Sequence, residues 1–213
     1  MSVTEPQSPS AVAQLALFLA RKGRRVWPLT VESKHTVTPR MTRVRFTVPA
    51  LDELIWKRGQ DLVLELPQQG DAIARRHYTI RDIDGATLAI DFVNHGESPA
   101  GRWLAAAAPG SRIDAAGPRG HTFLHAADWH LFTGDETAIP AIFAMLEGLP
   151  ADAKAYTFIE IADNAERQRA PDGANVVWLS RKGAAPGPSC LLADAVEAFA
   201  TSKKGRQPNL GNF

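Results

Sequence analysis

Residues Ala74 to Asp84 read ARRHYTIRDID, a basic stretch whose valine-like and aromatic members favour an extended chain. Alternation along a strand sends Arg76, Tyr78 and Ile80 to one face and His77, Thr79 and Arg81 to the other. A strand with cations on both faces raises the question of which anion it meets.

On either side lie more short alternating runs: VWPLTVES from Val26, MTRVRFTVP from Met41, DLVLELP from Asp61, TLAIDFVN from Thr87 and SRIDAAG from Ser111. Turn residues punctuate them at Pro39, Pro49, Gly59, Gly70, Asp84-Gly85, Gly96 and Pro109-Gly110. Strands this short and this regularly broken predict an antiparallel barrel or sandwich. GRWLAAAA, Gly101 to Ala108, interrupts them as a helix stopped by Pro109 and Gly110.

From Trp129 the pattern becomes strand, turn, helix, strand. HLFTG, AYTFIEIA and NVVWLS read as strands, and Ile139–Leu149 and Leu191–Ala200 as helices. That alternation predicts a parallel sheet covered by helices. The expected division is a leader and helix over 1–25, a β-barrel over 26–127, an α/β domain over 128–201 and a loose tail over 202–213. Ala11–Ala20 is apolar but far too short to span a bilayer, and RKGRR rather than a cleavage site follows it, so a helix packed on the body of a cytoplasmic protein is expected.

With 24 cations against 23 anions in 213 residues, the chain lacks the large clustered excess of a nucleic-acid binder. Cys190 is its single cysteine, which excludes an internal disulfide and a thiolate metal site and reads as a small buried apolar group. His121 and His125 have helical zinc spacing, but the stretch is not helical in character, and in a strand they would stand about 13 Å apart. No Gly-x-Ser-x-Gly elbow is present.

Phosphate recognition fits better. Arginine forks bind phosphate oxygens in pairs, and a helix start offers free N–H groups. Arg75, Arg76 and Arg81 are followed by HGESPAGRW, His95 to Trp103, a glycine-containing turn with Ser98 and Pro99 where a helix should begin. Tyr78 adds a flat ring and Thr79 a hydroxyl, which together suit an aromatic cofactor joined to a diphosphate. FTGDETAIPAI, Phe132 to Ile142, is a strand, turn and helix of the sort that carries a ligand at the carboxyl edge of a parallel sheet, although it lacks G-x-G-x-x-G.

Taken in order, TPRMTRVRF, RHYTIR, DFVNHGESPAGRW, PGSRIDAAGPRG, FTGDETAIPAI and VVWLSR resemble the siderophore-interacting protein family, flavin-dependent ferric-siderophore reductases related to ferredoxin–NADP reductases. The resemblance runs over roughly residues 30–181. It implies an FAD-binding barrel and a shortened Rossmann-like domain that takes NADPH or NADH. It implies that Arg76 holds the flavin phosphates, Tyr78 packs on the ring system and Thr79 bonds near N5, these last two being the groups nearest the chemistry. Ile80, Arg81, Asp91, Val93 and Trp103 would complete the cofactor walls, and His95, Gly96, Pro99, Ala100 and Gly101 the diphosphate and adenosine end. Gly134, Asp135, Glu136 and Thr137 would face the nicotinamide nucleotide or the flavin edge.

Two departures stand out. Where the family reads G-P-A-S this chain has Ser98, Pro99, Ala100 and Gly101, and where the family continues with a strand carrying W-x-A-G-E it reads KKGRQPNLGNF. The expected reaction carries electrons from NAD(P)H through flavin to a ferric siderophore in a monomeric, membrane-free enzyme. Ferredoxin as donor, or a non-catalytic flavin- or siderophore-binding protein, are the alternatives. Arg40, Arg43, Lys203, Lys204 and Arg206 are candidate contacts for an anionic siderophore.

Overall fold

The computed structural model describes residues 25–68, 72–94 and 96–202. The expected N-terminal helix, His95, Lys203, Lys204, Arg206 and the rest of the tail lie outside the described residues.

Seven strands, β1 (Val26–Thr38), β2 (Met41–Thr47), β3 (Asp61–Pro67), β4 (Ile73–Thr79), β5 (Asp82–Asp84), β6 (Thr87–Val93) and β7 (Arg112–Arg119), form one sheet in the order β4-β3-β7-β1-β2-β6-β5. Every pairing in it is antiparallel. The two outermost strands, β4 and β5, are separated in the chain only by Ile80 and Arg81. A sheet whose opposite edges are neighbours in sequence has to curl on itself. It does so at that corner: the Ile80 N–H donates to Gln60 O at 3.0 Å, and the next amide, Arg81, donates to Ala89 O on β6 at 2.9 Å. The single strand expected over ARRHYTIRDID is thus two strands and a corner. Alternating apolar residues fill the barrel, with Leu62, Leu64 and Leu66 of β3 and Leu88, Ile90 and Phe92 of β6 all fully buried.

Helix α1 (Pro99–Ala106) packs on the barrel and buries Ala100, Trp103 and Leu104 in its core. Past residue 129 come β8 (His130–Gly134), α2 (Ile139–Leu146), β9 (Ala155–Ile161), β10 (Val176–Ser180) and α3 (Leu191–Ser202). The three strands are parallel in the order β10-β9-β8, the α/β layer expected from the change of pattern. Cys190, just before α3, is exposed rather than buried, because it follows an exposed loop over 182–188 and belongs to neither core. Apolar α2 packs Ile139, Ile142, Phe143 and Leu146 into a second core with Ile159 and Ile161, and Met41 from the barrel enters it too. Near that junction buried Glu166 accepts from Thr38 Oγ1 at 2.5 Å and from the Arg40 N–H at 3.1 Å.

Candidate functional site

A cleft of about 250 Å3 opens between barrel and α/β layer, lined by Arg76, His77, Tyr78, Thr79, Asp91, Val93, Ser98, Pro99, Ala100, Thr137 and Pro140. Four elements far apart in sequence supply it: the end of β4, the end of β6, the start of α1 and the start of α2.

Four consecutive residues of β4 reach one cleft although alternate side chains point opposite ways. The reason is position: β4 is an outermost strand that ends at Thr79, so both faces of its last residues border the opening. Arg76 is exposed, donates to its neighbour's carbonyl, Arg75 O, at 2.9 Å, and has no carboxylate partner among the described residues. Its charge is available to an external anion. Arg75 is instead paired with Glu65 at 2.8 Å. The Tyr78 ring lies 4.5 Å from that of Phe92, which lies 5.6 Å from Trp103, itself stacked on Phe46. This aromatic series fixes the ring plane of Tyr78. Burial pushes the Tyr78 phenol above its ordinary pKa, with Arg76 offsetting part of the shift.

Across the cleft, α1 begins as the sequence suggests. Ser98 is its N-cap, with Oγ accepting from the Gly101 N–H at 3.0 Å, and Pro99 occupies the first turn. Pro99 has no N–H, and the Arg102 amide donates to Ser98 O. Among the described residues this leaves the Ala100 N–H for an outside acceptor. A Cβ on Gly101 would lie 1.9 Å from the Gly96 carbonyl oxygen. A serine at 101 therefore could not pack against this turn, and the hydroxyl sits at 98 instead.

Several expected residues are placed elsewhere. Ile80 is fully buried in the barrel core. Arg81 turns away to Glu147 at the end of α2, with hydrogen bonds of 2.7 and 2.5 Å. Trp103 lies beneath the cleft in the barrel core. Arg43, expected at a siderophore, grips buried Asp91 through bonds of 2.6 and 2.7 Å. That pairing raises the Arg43 pKa. Arg40 is exposed. Glu136 is buried and holds Arg181 at 2.5 Å, while Glu160 reaches the same guanidinium at 3.2 Å. Glu136 therefore braces the ends of the parallel strands and does not line the cleft. Gly134 also lies off the cleft; a Cβ there would stand 2.4 Å from that of Ala138, which explains the glycine in this turn. Asp135 accepts from the Thr137 N–H and Oγ1, shaping the turn that brings Thr137 to the cleft. His77, Ser98 and Pro140 line the cleft without having been singled out as site residues. Gly96 and Gly101 border a separate groove, lined also by Lys34, His35 and Arg102.

The residues present fit a flavin dinucleotide: a guanidinium with no carboxylate partner among the described residues, a fixed aromatic ring, a hydroxyl and a helix-start amide meet in one opening. Two family models match the chain, the siderophore-interacting FAD-binding domain over residues 63–122 and the siderophore-interacting protein model over 127–207. The chain belongs to the siderophore-interacting protein family. It is 37% identical over 149 residues to the ferric vibriobactin reductase ViuB of Vibrio cholerae, covering 63% of this chain and 54% of that protein. It is 33% identical over 99 residues to the NADPH-dependent ferric-chelate reductase of Escherichia coli, covering 44% of this chain and 39% of that protein. The chain thus spans about half the length of the curated relatives it matches. Among solved structures, a siderophore utilization protein from T. fusca superposes with a TM-score of 0.73 at 36% identity, covering 82% of this chain and 76% of that one. As in that family, the fold is a flavin-type barrel followed by a nucleotide-binding α/β layer. No helix among the described residues is long and apolar enough to cross a membrane.

Proposed function

We propose that the protein binds FAD in the cleft between barrel and α/β layer and reduces the iron of a ferric siderophore with electrons from NAD(P)H. The observation that carries this reading is that unpaired Arg76, ring-locked Tyr78, Thr79 and the start of α1 converge on one opening. When bound, FAD supplies the chemistry of accepting a hydride and releasing single electrons.

The chain's own residues bind and orient. Arg76 offers two parallel N–H donors to a diphosphate, and the Ala100 amide at the positive end of α1 adds a third donor. Tyr78 gives the ring system a flat apolar wall, and Phe92 behind it keeps that wall from turning. The Thr79 hydroxyl, where β4 ends, is available to a ring-edge nitrogen. Thr137 and Pro140 close the side next to the α/β layer and restrict water there. The ferric siderophore is the substrate: Fe(II) is held less tightly by hard oxygen donors than Fe(III), so reduction frees the metal. Ferric-siderophore reductases among the relatives support the substrate class, and the NADPH-dependent relative supports the donor.

A visible spectrum of the purified chain tests the cofactor. A band near 450 nm that is released on boiling, and bleaching on addition of NADPH followed by Fe(II) production from a ferric siderophore, are expected. A colourless chain that takes up no added FAD would sink the reading; bleaching only by reduced ferredoxin would change the donor.

A further inference from the structure

Arg81 leaves the barrel at the corner that closes it, and its guanidinium lies between carboxylates from two different layers. Nη1 and Nη2 donate to Glu147, the C-cap of α2, at 2.7 and 2.5 Å, while Nε stands 4.0 Å from Asp91 of β6. That Nε is buried and has no hydrogen-bond partner among the described residues. Asp91 is held from its other side by Arg43, and Glu147 is reached from outside by Arg58 at 3.3 Å. The result is an alternating series, Arg43, Asp91, Arg81, Glu147, Arg58, that crosses from barrel to α/β layer. One member, Asp91, is also part of the cleft wall.

Helix α2 connects this series to the cleft. Its eight residues span about 12 Å at the usual rise. Pro140 in its first turn and Thr137 just before it stand in the cleft wall, and Glu147 just past its end is the group that Arg81 holds. Arg81 also sits over the Phe143 ring at 5.9 Å, midway along the helix. A planar, two-pronged contact fixes direction as well as distance, which a single ammonium would not. Arg81 is buried but the Glu147 side chain is 31% exposed, and an ion pair open to water on one side adds little stability. A pair retained at this corner is therefore better explained by what it positions.

We propose that the Arg81–Glu147 pair is a positioning clamp: by fixing one end of α2 to the barrel corner it sets where the other end stands at the cleft, and so how long the cleft retains its flavin. This rests on the flavin reading given above. Another contact joins the two layers, Glu166 to Thr38 and Arg40, and none of its members lines the cleft, so it supplies the control.

The test follows FAD release from the loaded full chain after dilution, read by recovery of free-flavin fluorescence, for wild type, Glu147→Gln, Arg81→Lys and Glu166→Gln, with thermal midpoints in parallel. Glu147→Gln keeps shape and removes charge, which avoids the two stranded carboxylates that Arg81→Ala would leave. Expected are release about tenfold faster for Glu147→Gln, an intermediate rate for Arg81→Lys, and for Glu166→Gln a lowered midpoint with the wild-type release rate. Wild-type release from Glu147→Gln, or equal acceleration by Glu166→Gln, would overturn the clamp. Wild type that takes up no FAD overturns the flavin reading itself, and that result is visible before any variant is compared.

Discussion

Arg43 and Asp91 face each other across neighbouring strands β2 and β6 and are joined by two hydrogen bonds, with the Asp91 side chain fully buried and that of Arg43 only 19% exposed. The arginine is therefore a structural partner and not a free surface cation. Removing it strands a buried carboxylate, which costs about 3 kcal/mol. Arg43→Ala should lower the unfolding free energy, read from urea titration, by that amount, whereas exposed Arg40→Ala should stay within about 0.5 kcal/mol of wild type. If both variants unfold like wild type, the pair is not the support described.

Arg76 gives the opposite pattern. It is exposed and bonds only to the adjacent carbonyl, so Arg76→Ala should leave the unfolding midpoint unchanged. A charge-assisted contact to a phosphate is worth about 1.5–3 kcal/mol, so the same variant should weaken FAD binding by roughly ten- to a hundredfold. Equilibrium titration with FAD, followed by quenching of flavin fluorescence, measures it. Unaltered affinity would move the diphosphate away from β4.

Much of this arrangement was legible in the sequence because it depends on local patterning. Alternation in TLAIDFV and the strand-turn-helix grammar after Trp129 gave both layers, and Ser98-Pro99 marked the start of α1. What was not legible depends on partners distant in sequence. Nothing near HYTIR says that Ile80 bonds to one edge of the sheet and Arg81 to the other. Arg43, Arg81 and Glu136 looked like free charges because Asp91, Glu147 and Arg181, which occupy them, lie 45 to 66 residues away. His77 joins the cleft only because β4 is an outermost strand, a property of topology rather than of the motif.

Gly101 sits inside helix α1, where alanine is ordinarily favoured by about 1 kcal/mol. Here a Cβ would overlap the Gly96 carbonyl oxygen and approach Ser98 Oγ to 3.2 Å. Gly101→Ala must push the 96–98 turn off the helix start, and overpacking of this kind costs about 1–3 kcal/mol. The expected result is a lower unfolding midpoint together with weaker FAD retention, since the displaced turn carries Ser98. An increase in stability, as the helix scale alone predicts, would refute the close packing.

Glu65 provides a pH-dependent signature. Its side chain is 4% exposed, Oε1 accepts from Arg75 at 2.8 Å, and Oε2 is buried without a hydrogen-bond partner among the described residues. Burial raises its pKa above the ordinary 4.5, Asp114 adds to the shift and Arg75 offsets part of it. With the native pKa above the unfolded one, the native state holds the extra proton in the interval between them. Stability contributed by Glu65 therefore falls as pH rises through that interval and stays at its lower level above it. Glu65→Gln cannot titrate, so wild type should gain on the variant as pH is lowered from 7 towards 4.5. Urea midpoints of the two chains at several pH values give the difference directly. A difference that does not change with pH, or that changes in the opposite sense, would mean that Arg75 outweighs burial and that the carboxylate is at ease where it lies.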